Sequence, residues 1–122
     1  MDDSLSRFLV DELGPLGPVS VRRMFGGGGV FIDGSMLALI SDDRLYFKVD
    51  DALRPRFEAA GLHPFVYERK TGKPVVMSFW QAPEDVLDDP DALRDWASAA
   101  LAAARRAQKK APRRAKARAA RR

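Results

Sequence analysis

Residues 105–122 of this 122-residue chain hold ten basic side chains and no acidic one. Beyond Leu101 there is no large apolar residue, so this segment lacks the side chains needed to bury a face. We therefore expect one folded domain over residues 1–104 and an Ala/Arg/Lys tail over 105–122 that is disordered or a partly helical extension. The net charge of +4 divides into −6 for the domain and +10 for the tail. Attraction to a polyanion must therefore come from the tail or from a local patch.

The rest of the composition excludes several classes of site. The chain has no cysteine and one histidine, which rules out disulfides and thiolate zinc sites and leaves little for histidine-based metal sites or triads. No apolar run is long enough for a transmembrane helix, and the acidic start MDDSLSRF is unlike a secretory signal. We expect a cytoplasmic protein with no membrane partner, no cofactor, no metal and no enzymatic activity.

The first half of the chain predicts a helix followed by antiparallel strands. Apolar residues at helical spacing indicate a helix over 4–13, which Gly14-Pro15 ends. Asp33-Gly34 and Asp42-Asp43 are typical of tight turns between strands. The predicted strands are 19–25, 30–33, 36–41 and 44–49, with the last alternating cleanly between apolar and polar residues.

The second half predicts a short helix, a hairpin and a long helix. Asp50 or Asp51 can cap a helix over 52–60, and strands 65–70 and 75–81 flank a glycine-containing turn. The neighbouring residues Phe79 and Trp80 must point to opposite faces, so we expect one of them to be exposed. The predicted class is α+β: an antiparallel sheet of about five to six strands, helices packed on one face, and a long C-terminal helix.

Three stretches occur in an order that points to a known family. They are RRMFGG at 22–27, LYFKVDD at 45–51, and GKP at 72–74 followed by MSFW at 77–80. Together they resemble the TfoX N-terminal domain family, named after the TfoX/Sxy regulators of bacterial competence. The resemblance implies a secretion-chaperone-like α+β domain without known enzymatic activity. The longer regulators carry a second helical domain, in whose place this chain has the basic tail, and no catalytic or ligand residue is carried over.

Three other features have both a structural and a chemical interpretation. The glycines 26–29 permit a bend or a bulge; the alternative is a phosphate cradle, although such loops usually lead into a helix. The paired acids at 42–43, 50–51 and 88–89 fit turns and helix caps; the alternative is metal or acid–base chemistry. His63 is interpreted as a loop histidine, with a general base as the alternative.

Cations and an aromatic ring alternate on one predicted strand. Cations near aromatic rings suit phosphates and stacked bases, whereas solvated basic side chains on the wet face of a sheet are the alternative. The candidate sheet-face patch is Arg22, Arg23, Arg44, Tyr46, Lys48, Arg69, Lys70 and Lys73.

The tail is the main candidate for nucleic-acid contact. Lysine and arginine that neutralise phosphates release counterions, and such contacts carry no sequence information. The alternatives are a solubilising tail and folding of the tail onto the acidic domain. The candidate residues are Arg105, Arg106, Lys109, Lys110, Arg113, Arg114, Lys116, Arg118, Arg121 and Arg122.

Two functions of different classes follow. The first is a non-enzymatic regulatory or accessory protein, related to transcription, whose domain binds a transcription factor or polymerase subunit while the tail holds DNA or RNA. The second is a protein–protein interaction module, chaperone-like or self-associating, with a merely solubilising tail. The sequence leaves the oligomeric state open.

Overall fold

The computed structural model describes the backbone of residues 4–24, 26–68, 72 and 74–120, and the side chains at these positions except 67, 68, 74–77 and 110–120. The α-helices are α1 (Ser4–Leu13), α2 (Arg54–Ala59) and α3 (Pro90–Ala120). Short 3₁₀ turns occupy Gly14–Leu16 and Val86–Asp88. The strands are β1 (Val19–Met24), β2 (Gly27–Ile32), β3 (Ser35–Ser41), β4 (Arg44–Lys48), β5 (Pro64–Glu68) and β6 (Pro74–Gln81).

The two tight turns that the sequence predicts between strands have left-handed backbone at both central residues. Asp33 and Gly34 have φ of 52° and 79°, and Asp42 and Asp43 have φ of 51° and 59°. Two successive positive φ values are the mark of a type I′ turn, whose twist matches that of the flanking strands. Both turns therefore join their strands as tight antiparallel hairpins, and both predictions are confirmed.

The six strands form one antiparallel sheet in the order β1-β2-β3-β4-β6-β5. The first four strands follow chain order. The last hairpin then inserts with β6 beside β4, where Tyr46 pairs with Gln81 and Lys48 pairs with Phe79. The predicted α+β class, with an antiparallel sheet, helices and a long C-terminal helix, is confirmed.

The helices and the sheet enclose one core on one side of the sheet. Paired residues of neighbouring strands lie on the same face, and the pairs Ala38–Phe47 and Ile40–Leu45 face the helices. This side, the helix face, contributes to a buried cluster that includes residues of all three helices. Leu39 pairs with Tyr46 on the opposite side, which we call the outer face.

Aromatic contacts join α2 and α3 to the sheet. Phe57 of α2 is fully buried, with its ring centre 4.9 Å from that of Trp96 and 6.3 Å from that of Trp80. Edge-to-face rings at such distances add to the free energy of burial. Arg94 joins α3 to α1 through the Glu12 carbonyl oxygen at 3.1 Å and the Glu12 carboxylate at 3.4 Å.

Two expectations from the sequence are corrected. The strand predicted over 30–33 begins earlier, at Gly27, because glycines 27–29 pair with both β1 and β3. Phe79 and Trp80 do lie on opposite faces, but neither is exposed: Phe79 is 8% exposed and Trp80 is half-buried against the core. On the outer face the neighbouring side chain of Lys48 lies over the Phe79 ring, which an isolated strand would leave exposed to water.

Helix α3 is a single helix that continues from the core into the basic tail. Its buried stripe includes Leu93, Ala97 and Leu101. Residues 105–109 continue the same helix, and Arg106 and Gln108 bond to the domain. Among the helices that the structure describes, none has the length and apolar character needed to cross a membrane.

Candidate functional site

The tail cation Arg106 is bound to a carboxylate of the domain. Its Nε donates to Asp50 Oδ2 at 2.6 Å and its Nη2 donates to Asp50 Oδ1 at 3.1 Å. Two parallel hydrogen bonds of this kind give the ion pair a fixed geometry. Asp50 Oδ1 also accepts the Leu53 N–H at 3.0 Å at the start of the turn into α2. The hydrogen bonds from Arg106 are the largest cause that lowers the pKa of Asp50.

The next contact along α3 fixes the helix to the β2–β3 hairpin. Ser35 Oγ donates to Gln108 Oε1 at 2.6 Å, and Gln108 Nε2 donates to the Gly34 carbonyl oxygen at 3.3 Å. Ser35 is only 4% exposed, so its hydroxyl needs this partner. The first turns of the tail are thus bonded to the domain.

The structure describes the side chains of only some of the other tail candidates. Arg105 and Lys109 are exposed on α3. Arg121 and Arg122 lie outside the described residues. The rest lie on the helical backbone of α3, with side chains outside the described set: Lys110, Arg113, Arg114, Lys116 and Arg118. Nucleic-acid contact by these residues stays a prediction.

The sheet-face candidates are brought together only in part. The outer face of β4 carries Arg44, Tyr46 and Lys48 at alternate positions. Arg22 of β1 lies on the same face, because strand pairing connects it to Tyr46 through Gly29 and Leu39. The adjacent Arg23 pairs with Gly28 and lies on the other face. The remaining three, Arg69, Lys70 and Lys73, lie outside the described residues. A binding role for this patch also stays a prediction.

Two outer-face cations lie over aromatic rings. The guanidinium of Arg22 is 4.9 Å from the ring centre of Phe31, and Lys48 Nζ is 5.4 Å from that of Phe79. Both are within the range of cation–π attraction. Lys48 Nζ also donates to Ser78 Oγ at 2.6 Å. Burial lowers the pKa of Lys48, while the nearby charge of Asp50 acts in the opposite direction.

The centre of the outer face is lined by methionine. A Cβ placed on Gly29 would lie 2.9 Å from Met24 Sδ and Cε and 2.9 Å from Met36 Cε. The two thioethers thus occupy the space that a side chain at position 29 would need. Beside them Leu39 is 1% exposed although it is not part of the core cluster. The sequence shows four methionines but not that two of them meet over a glycine.

The remaining candidates are a turn glycine, a helix-capping aspartate and a loop histidine. Gly26, with φ of 74°, lies in the turn before β2. Asp89 accepts the Ala92 N–H at 3.2 Å at the start of α3. His63 is exposed, and its backbone exchanges hydrogen bonds with Gln81. In the described part of the chain, no group of three or more histidine and acidic side chains has the arrangement of a metal site.

A cleft of about 750 Å³ lies where β4 begins and β6 ends. Its lining includes Arg44, Tyr46 and Gln81, which also belong to the outer face. Leu45 and Val86, which belong to the buried core on the helix face, also line the cleft, so it lies at the end of the sheet and is lined from both sides.

Comparison with known proteins identifies the family. The TfoX N-terminal domain matches residues 11–104. A protein of Spirochaeta aurantia, described as an uncharacterized 12.7 kDa protein in the trpE 5′ region, is 33% identical over 95 residues, or 77% of this chain and 75% of that protein. The DNA transformation protein TfoX1 of Aliivibrio fischeri is 39% identical over 56 residues, or 46% of this chain and 27% of that protein. The chain thus spans about a quarter of TfoX1, but most of the Spirochaeta protein. The chain belongs to the TfoX N-terminal domain family.

Proposed function

We propose that this chain is a non-enzymatic regulatory or accessory protein of a cytoplasmic, DNA-related process such as competence, and that its basic tail contacts nucleic acid without sequence preference. The observation that carries the proposal is the single helix α3. It is anchored in a domain of net charge −6 and continues into a segment of charge +10. The name of the relative TfoX1, a DNA transformation protein, supports the link to DNA.

If the basic tail contacts nucleic acid, its affinity should depend strongly on the salt concentration. Duplex DNA loses affinity with salt at a slope of about −0.9 per phosphate neutralised. If five of the cations engage, a twofold rise in salt weakens binding about 20-fold. Arg106 is engaged by Asp50, whereas Arg105 and Lys109 are exposed. These two are therefore the described tail cations best suited to a test.

The test is anisotropy of a labelled mixed-sequence duplex, titrated with the full chain over a series of salt concentrations. The variant Arg105→Gln/Lys109→Gln is compared with Arg7→Gln/Arg23→Gln, which removes two exposed cations from the domain. We expect the tail variant to reduce the magnitude of the salt slope by about 2, and the domain variant to leave it unchanged. Equal slopes for the two variants, or no binding at low salt, would overturn nucleic-acid contact by the tail.

A protein partner of the transcription machinery is part of the same proposal. Pull-down with the intact chain, with and without nuclease, distinguishes the modes of association. Partners that survive nuclease treatment bind the protein directly, and partners that disappear with it are held through nucleic acid. Recovery of nothing above the level of a denatured control would contradict a regulatory role that depends on assembly.

A second candidate function is a protein–protein interaction module. It is favoured by the outer face, where methionines, aromatic rings and cations lie on the side of the sheet opposite the core. A monomer by analytical ultracentrifugation that binds no peptide would contradict this function.

A further inference from the structure

The outer face differs in charge from the domain that carries it. Its described strand positions include three cations and no carboxylate, although residues 1–104 have a net charge of −6. Arg22 lies on the edge strand β1, and Arg44 and Lys48 lie three strands away on β4. A local positive surface on an acidic domain attracts acidic groups at short range. The cations therefore frame the face at two sides.

Between the cations lies an apolar strip. The row from Arg22 to Gln81 crosses five strands, about 19 Å at about 4.8 Å per strand. Its interior positions are Gly29, Leu39 and Tyr46. Leu39 is 1% exposed, so the accessible apolar atoms belong to Tyr46 and to Met24 and Met36, which are half-buried and lie over Gly29. Methionine is unbranched and polarisable, so it adapts its shape to an incoming apolar side chain. The centre of the face is thus soft and apolar, and its rim is cationic.

The charges and the packing of the rings on the outer face distinguish between a second copy of the chain, the basic tail, nucleic-acid bases and an acidic segment as its binding partner. A second copy placed face to face would set Arg22, Arg44 and Lys48 against the same three cations, and the basic tail would be repelled in the same way. Stacked bases need open ring faces. Here Arg22 covers Phe31, Phe79 is 8% exposed, and the ring of Tyr46 lies 4.8 Å from that of Phe65. An acidic polypeptide with an apolar centre matches both the rim and the strip.

We propose that the outer face is a docking surface for an acidic protein segment that carries apolar anchors, with Arg22 and Lys48 pairing to its carboxylates and Met24 and Met36 packing on its apolar side chains. This inference rests on the second candidate function, the interaction module. It does not depend on nucleic-acid contact by the tail.

The test uses the full chain and a labelled peptide with a Leu-Phe-Leu centre and glutamates at both ends. Arg22→Glu is compared with Arg23→Glu, since the two arginines are adjacent and exposed but lie on opposite faces of β1. We expect Arg22→Glu to weaken binding about fivefold or more and Arg23→Glu to change it less than twofold. In NMR spectra, the methyl signals of Met24 and Met36 should shift on binding.

Each of the following outcomes would overturn the docking surface. Equal weakening by both variants would mean attraction to net charge alone. No binding, or binding that leaves both methionine methyls unshifted, would mean that the strip is not used. Displacement of the peptide by single-stranded oligo(dT), with the same loss in Arg22→Glu, would assign the face to nucleic acid. Equal binding of a peptide with lysine in place of glutamate would contradict the charge complementarity of the proposed docking surface, but it would not contradict the second candidate function, a protein–protein interaction module.

Discussion

Arg106 of α3 holds Asp50, which lies between β4 and α2, through two hydrogen bonds of 2.6 and 3.1 Å. Because Asp50 also accepts the N–H of Leu53, one carboxylate ties the end of the sheet, the start of α2 and the C-terminal half of α3 together. The contact has two consequences. It fixes α3 beyond its last buried residues, and it pairs one of the ten tail cations with a carboxylate of the same chain.

We predict that Arg106→Gln lowers the free energy of unfolding by about 0.5–1 kcal/mol, the range typical of partly exposed ion pairs. The arginine side chain is 46% exposed, so solvent screens much of the attraction. Arg105→Gln, at the adjacent exposed position, should change stability by less than about 0.5 kcal/mol. Urea denaturation measures both. Equal losses at the two positions would contradict a specific role for the Arg106–Asp50 pair.

Asp50 gives this contact a defined pH dependence. Its pKa is lowered in the folded state, first by the hydrogen bonds from Arg106. The stabilisation is therefore complete above the unfolded pKa and is lost as the pH falls through the folded pKa. We expect the difference in Tm between the natural chain and Asp50→Asn to be constant from neutral pH to about pH 5 and to shrink below about pH 4. Thermal melts followed by circular dichroism test this, and an unchanged difference at about pH 2 would contradict it.

Gln108 and Ser35 should behave as a coupled pair. Gln108→Ala leaves the buried hydroxyl of Ser35 without its acceptor, and we predict a loss of about 1–2 kcal/mol in the free energy of unfolding. Adding Ser35→Ala should recover part of that loss, since the double variant leaves no unpaired hydroxyl. A double-mutant cycle by urea denaturation measures the coupling. Strictly additive losses would show that the 2.6 Å hydrogen bond between them contributes nothing to stability.

The sequence predicts those parts of the fold that depend on neighbouring residues. The turn at Asp33-Gly34 follows from the preference of these two residues for positive φ. The start of α3 follows from Asp89, a cap residue placed before Pro90. The alternation along β4 gives its two faces directly. Each of these signals lies within a few residues of the structure it specifies.

What the sequence does not predict depends on distant residues. The glycines 27–29 carry no side-chain pattern, so their membership of β2 follows only from pairing with β1 and β3. Ser35 and Gln108 are 73 positions apart, and neither residue type signals the other. The outer face could be predicted only in part. The alternation along β4 places Arg44, Tyr46 and Lys48 on one face. The contact of Met24 and Met36 over Gly29 depends on the register of three strands, which the sequence does not show.

Gly27 and Gly14 should differ strongly in their response to the same substitution. A Cβ on Gly27 would lie only 1.8 Å from the Ile40 carbonyl oxygen, whereas a Cβ on Gly14 meets nothing within 4 Å. Relief of the first clash requires β2 to move away from β3. We predict that Gly27→Ala lowers the free energy of unfolding by about 3 kcal/mol, and that Gly14→Ala changes it by less than about 0.5 kcal/mol. Urea midpoints compare the two, and similar values would contradict the close approach of Gly27 to β3.

The turn between β3 and β4 offers a stabilising change. Asp42 and Asp43 both have positive φ, which costs a side-chain-bearing residue free energy that glycine does not lose. The second central position of a type I′ turn prefers glycine and the first prefers asparagine or aspartate. We therefore predict that Asp43→Gly raises the free energy of unfolding by about 0.5 kcal/mol, and that Asp42→Gly raises it less. Thermal and urea denaturation of the two variants provide the comparison. A larger gain at Asp42, or a loss at Asp43, would mean that the Asp43 carboxylate stabilises the turn by more than its backbone strain costs.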